Sequence, residues 1–315
     1  MITNHRQWAA AAVAVLSAGA AFAAVVNTVS EFRDGAAFSP EGYGLIRNWY
    51  QAEGRLTARY STYGGMTHLS YWGPKGNYAI SFGEDSAHYA RNYDPQVLID
   101  ERPYRLTFTN TRHYTFGYSS ECTIFDVKLR HEFVLDKHTA YRRITVLENP
   151  SNRRVRARIH QMNVKRLLTH DHARGVLRGA AVRRGERGQT VTNRVEVGCL
   201  TGKVAFPINV LRTRKACAKP ARCTNAAGEQ DDRFLMDTVE PSAVTVFYFD
   251  IDAGTDDAPS VSAIDRAYAD YAAKYADSAK IVTADRLTGD FLTWGAAWVD
   301  ALDAGGEGAV RASQT

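Results

Sequence analysis

The chain lacks the short motifs that announce most common enzyme chemistries. Its 315 residues contain no Gly-rich phosphate loop, no GxSxG elbow and no HExxH. Four cysteines are present, and none forms the CxxC pair expected of a structural zinc site. No zinc-finger spacing or RNA-binding signature accompanies its arginines, which argues against nucleic acid as a partner. Beyond the first two dozen residues, no apolar run approaches the ~20 residues of a membrane-spanning helix. Nothing calls for a cofactor.

What is there begins with an address. Met1 to Gln7 is polar and carries Arg6; Trp8 to Ala21 is apolar or small; Ala21-Phe22-Ala23 has the small-x-small pattern of a cleavage site. That layout reads as a secretory signal peptide over residues 1–23, giving a secreted or periplasmic protein without a stable membrane span. Cys122, Cys199, Cys217 and Cys223 would then sit in an oxidising compartment. Two disulfides allow three connectivities; a local Cys217–Cys223 bridge and a longer Cys122–Cys199 bridge are favoured.

From about Leu56 to Asp252 the pattern is β. Met66 to Trp72 and Tyr78 to Phe82 are short, aromatic strands punctuated by Gly64, Gly65, Gly73, Gly76 and Gly83. Thr123 to Leu135 alternates over more than ten residues, and Tyr141 to Glu148 leads through Asn149–Asn152 to Val155–Val164, expected to return antiparallel to it. Further strands fit Thr190–Val197, Val204–Leu211, Arg233–Val239 and Val244–Ile251. Strands with one wet and one dry face build a large antiparallel two-sheet sandwich over residues 24–252.

The period changes after Asp252. Val261, Ile264, Tyr268, Tyr271 and Tyr275 mark one helical stripe; Leu287, Phe291, Trp294, Trp298 and Leu302 mark a second, capped by Thr283. Residues 253–304 therefore read as two amphipathic helices, and 305–315 as a disordered tail. Two tryptophans on one helix need a covering surface.

Three clusters could carry chemistry. Tyr71, Trp72, Asn77 and Tyr78 surround a Gly73-Pro74 turn; aromatic planes stack on sugar rings and an amide binds hydroxyls, so these four are the candidate saccharide contacts. His113 lies among aromatics, and with Glu121, Asp126 or Glu132 it could perform acid–base work. His170-Asp171-His172 lacks a third metal ligand and reads as a loop. The net charge of +5 is uneven: Arg142, Arg143, Arg153, Arg154, Arg156 and Arg158 belong to a basic band suited to an acidic polymer or, more simply, to a solvated strand face.

The long antiparallel strands, the Gly64–Gly73 segment ending Leu-Ser-Tyr-Trp-Gly, and the two closing helices together resemble a known module. It is the amino-terminal β-supersandwich, similar to the galactose-mutarotase fold, of glycoside hydrolases and phosphorylases that carry an (α/α)6 barrel. The resemblance spans about Leu45 to Leu302 and implies an oligo- or polysaccharide ligand. In that class the catalytic carboxylates belong to the barrel, for which this chain has no room. The reading is therefore an accessory module, non-catalytic alone, docking a helical catalytic domain or partner chain on Trp294 and Trp298. The alternatives are a stand-alone mutarotase- or polysaccharide-lyase-like enzyme using His113 and a carboxylate, and a structural envelope protein.

Overall fold

A computed structural model describes residues 25–28, 36–37, 48–53, 56–61, 65–73, 76–81, 93–107, 109–163, 168–184, 190–205, 208–209, 232–251, 257–274 and 279–282. Over these residues the chain is mainly β, and every strand pair is antiparallel. The largest sheet has nine strands, numbered along the chain: β2 (Ala36–Ala37), β9 (Thr109–Tyr114), β10 (Gly117–Ile124), β11 (Val127–Asp136), β12 (Thr139–Glu148), β14 (Leu168–Asp171), β15 (Val176–Arg184), β16 (Thr190–Cys199) and β19 (Val244–Asp250). Their spatial order is β14-β15-β16-β19-β12-β11-β10-β9-β2.

A five-stranded sheet contains β7 (Asp94–Ile99), β8 (Arg102–Arg105), β13 (Val155–Asn163), β17 (Ile208–Asn209) and β18 (Asp232–Asp237), ordered β17-β18-β13-β7-β8. A meander of β3 (Asn48–Glu53), β4 (Leu56–Ser61), β5 (Met66–Gly73) and β6 (Gly76–Ser81) makes a four-stranded sheet. β1 (Val25–Thr28) pairs with β20 (Ala279–Val282).

Alternation sorts the side chains of the nine-stranded sheet onto two faces. On the inner face, Leu129, Phe133, Ile144, Val197, Phe247 and Phe249 join one apolar cluster with Val97, Ile159 and Met236 of the five-stranded sheet and Leu56 and Leu69 of the four-stranded one. On the outer face, Tyr114, Phe116, Val134, Tyr141 and Tyr248 receive the helix α1 (Ser262–Lys274) through Ala263, Ile264, Ala267 and Tyr271. Rings of Tyr268 and Tyr271 meet those of Tyr114 and Phe116 at centroid distances of 5.1–5.5 Å. Arg143 ties Glu132 of β11 to Asp265 in the first turn of α1, at 2.5 Å to each. A carboxylate there also suits the positive end of the helix dipole.

The core explains one glycine. Gly198 of β16 stands opposite Tyr248, and a Cβ at Gly198 would meet the Tyr248 hydroxyl oxygen at 2.6 Å. The ring lies across the bare backbone, and its hydroxyl donates to Glu196 Oε1 at 2.6 Å.

Several expectations need correction. Thr123–Leu135 is not one strand: β10 ends at Ile124, Phe125 and Asp126 turn, and β11 begins at Val127. β13 does not return along β12. After Asn149–Asn152 the chain crosses to the five-stranded sheet, where β13 pairs with β7 and β18, because both edges of β12 are already taken by β11 and β19. The Cys122–Cys199 bridge does not form, and both thiols are free. Four strand spacings separate β10 from β16, roughly 19 Å at about 4.8 Å each, against the ~7 Å limit between bridged Cα atoms.

One helix is found among the described residues, and Val261 precedes it as an exposed side chain. No helix among them is long and apolar enough to cross a membrane. The signal segment, Tyr275, the second helix with Trp294 and Trp298, Cys217, Cys223 and the 305–315 tail lie outside the described residues.

Candidate functional site

The four candidate saccharide contacts divide by register. In the β5–β6 ladder Tyr71 stands opposite Tyr78, and Trp72 opposite Asn77. Residues directly opposed in an antiparallel pair share a sheet face. Tyr71 belongs to the core face, 5% exposed, with its ring edge-on to His138 at 6.4 Å. Trp72 and Asn77 therefore share the opposite face, next to the turn that closes the hairpin.

The rest of that face can be read from the same ladders. Ala52, Thr57, Ser70 and Ala79 form one cross-sheet row, and Tyr50, Arg59, His68 and Ser81 the next. His68 Nε2 and Ser70 Oγ are 2.7 Å apart. The central strands β4 and β5 thus contribute Thr57, Arg59, His68 and Ser70 to these rows.

His113 is on the inner face of the nine-stranded sheet. Successive strand partners make a row of His113, Tyr118, Phe133, Arg142 and Phe247. Arg142 is only 1% exposed, with its guanidinium carbon 4.4 Å from the Phe133 ring centroid and 5.5 and 5.7 Å from those of Tyr93 and Tyr118. Its Nη1 donates to the Tyr118 hydroxyl. Asp94, Gln161, His131, Thr111 and Ser120 are buried in the same interior. Burial pushes His113 and His131 down to about 4, so both imidazoles are neutral at physiological pH.

The carboxylates considered as partners for His113 are not brought to it. Glu121 and Glu132 alternate onto the outer face, where Arg130 holds Glu121 at 2.7 Å and Arg143 holds Glu132. Asp126 sits in the β10–β11 turn against Arg153 at 2.7 Å. Hydrogen bonds from Ser151 N–H and Arg153 hold its carboxyl down at about 2.

A different imidazole does meet a carboxylate. His138 Nδ1 lies 2.8 Å from Asp250 Oδ1, with both groups buried, where the β11–β12 turn meets the end of β19. A carboxylate on one ring nitrogen favours the tautomer protonated there. No local pattern marks His138, since its partner lies 112 residues away in sequence.

The basic band carries its own counter-ions. Arg153 pairs with Asp100 and Asp126, Arg154 and Arg156 with Glu101, Arg158 with Asp237, and Arg178 with Glu196. The band is thus largely neutralised by its own carboxylates, which weakens the case for an acidic polymer along β13. The His170 and His172 rings lie 3.9 Å apart between centroids with their planes tilted by 51°, and no group of three or more metal-ligating side chains occurs among the described residues. No family model and no curated protein matches the chain.

Proposed function

We propose that this chain is a secreted carbohydrate-processing accessory module, non-catalytic alone. In this reading the nine-stranded sheet and the smaller sheets on its inner face are the layers of a supersandwich of the galactose-mutarotase type, closed by α1 and a second helix bearing Trp294 and Trp298. That second helix docks a helical catalytic domain or partner chain. The observation carrying the saccharide assignment is the register that sets Trp72 opposite Asn77, on the face shared by Ser70 and His68. An aromatic plane beside an amide matches a sugar's C–H face and its hydroxyls.

A glycan array tests it with wild type, Trp72→Ala and Asn77→Ala. Binding by wild type with loss in both variants is expected. No binding by wild type, or equal binding by all three, removes the assignment.

A second reading, a stand-alone enzyme of proton transfer on sugars, is favoured by the His138–Asp250 hydrogen bond. Polarimetry on freshly dissolved α-D-galactose separates the two readings. Accelerated mutarotation abolished by His138→Gln supports the enzyme, and a rate equal to buffer supports the accessory module.

A further inference from the structure

Three turns meet at one end of the molecule, and an aromatic ring stands on them. Phe125 is the first of the two residues linking β10 to β11, and its φ is 57°. Glycine, asparagine and aspartate adopt that left-handed region readily, and bulky aromatic residues seldom do. Yet the ring is 61% exposed. Neither the turn nor core burial accounts for phenylalanine here. Positions that break a local preference without a packing gain are where function is to be sought.

The ring is held in place. The Arg153 guanidinium carbon lies over one face, 5.0 Å from the centroid. The Tyr104 ring stands nearly perpendicular to it, with centroids 5.3 Å apart and planes at 86°. Arg153 is itself fixed by Asp126 at 2.7 Å and Asp100 at 2.9 Å. Asn149 clasps the Arg153 backbone with two hydrogen bonds of 2.9 Å, and Ser151 N–H donates to Asp126 at 3.2 Å. The ring is thus flanked by a guanidinium over one face and by a tyrosine at nearly a right angle, while the residue stays 61% exposed.

We propose that Phe125 is the stacking platform of a second saccharide-binding site, with Tyr104, Arg153 and Asp126 supplying its polar rim. The surroundings choose the occupant. Among the described residues the other large exposed apolar side chains are Val239 and Val261, so no broad apolar patch extends from the ring. A protein partner needs roughly 800 Å² on each side, and here it would have to desolvate Asp100, Glu101 and Arg153. A pyranose covers one ring face with its C–H groups and leaves charged neighbours hydrogen-bonded through its hydroxyls. This end lies on a different sheet from Trp72 and Asn77, so the site goes beyond the function proposed above and stands or falls separately.

Affinity electrophoresis of the full chain through gels containing laminarin, xylan, dextran or alginate tests the site. Wild type should be retarded in at least one gel. Phe125→Asn should weaken that binding at least about tenfold while keeping or raising Tm, and Phe125→Trp should stay within about threefold. Trp72→Ala should leave part of the retardation in place. Unretarded wild type in all four gels, or Phe125→Asn binding like wild type, overturns the proposal. In the latter case, loss with Trp72→Ala assigns the sugar to the four-stranded face.

Discussion

Among the described residues two arginines lie over phenylalanine rings, one inside and one outside. Arg142 stacks on Phe133 at 4.4 Å and Arg153 on Phe125 at 5.0 Å. Inside, Tyr93 and Tyr118 close the remaining sides and the Tyr118 hydroxyl takes a donor, so the guanidinium is committed to the core. Outside, Asp100 and Asp126 share the charge, and Phe125 stays 61% exposed. The pairing chemistry is the same, and burial decides what it does. A desolvated cation must be surrounded to be tolerated and becomes architecture. A hydrated one costs little and can serve as a fixed support for a presented ring.

The sharpest way to break that contrast is to remove each arginine. Arg142→Ala should cost on the order of 3–5 kcal/mol in urea unfolding, because it empties a packed site and strips a buried hydroxyl of its partner. Arg153→Ala should cost under about 1 kcal/mol, as for other exposed ion pairs. Equal losses would erase the distinction.

Acid should separate the two regions next. His113 and His131 are held near 4 by burial, below the ordinary 6.5 of an exposed imidazole. Between those values the unfolded chain takes up protons that the folded chain refuses. Stability is therefore full above about pH 6.5 and falls as pH drops toward 4, by about 3 kcal/mol for each imidazole. Urea midpoints at pH 7 and pH 4.5 read this, and His113→Gln should remove part of the slope. The Phe125 end should not respond in that window, since Asp126 stays ionised down to about 2. A pH-independent midpoint would mean that these imidazoles are not secluded.

A small effect of opposite sign is the most diagnostic. Phe125→Asn relieves a left-handed backbone and should raise stability by about 1 kcal/mol, read as a higher Tm. A loss instead would mean that the contacts with Arg153 and Tyr104 outweigh the strain.

Much of the secondary structure was legible. Alternation located β16 and β19 to within a few residues, and the three- and four-residue spacing located α1. The site residues were harder to read for definite reasons. Phe125, Val127, Leu129, His131, Phe133 and Leu135 recur at every second position, so Phe125 reads as an inward strand residue. In fact a two-residue turn reverses the chain between Ile124 and Val127 and switches which parity faces inward. Arg142 read as one more member of a basic band, because alternation says which residues share a face and not which face a second sheet will cover. Alternation by itself puts Tyr71 and Trp72 on opposite sides of their strand, and the ladder with β6 adds which of Asn77 and Tyr78 stands opposite each.

Local chemistry therefore determined where strands and α1 form, since the dihedral period of a segment is written in its own residues. The partner of each strand was settled only by tertiary structure, and with it the crossing of β13 to another sheet, the separation of Cys122 from Cys199, and the convergence of His138 with Asp250. Those outcomes depend on which long-range pairing buries the most apolar surface, and no window of neighbouring residues contains both sides of that choice.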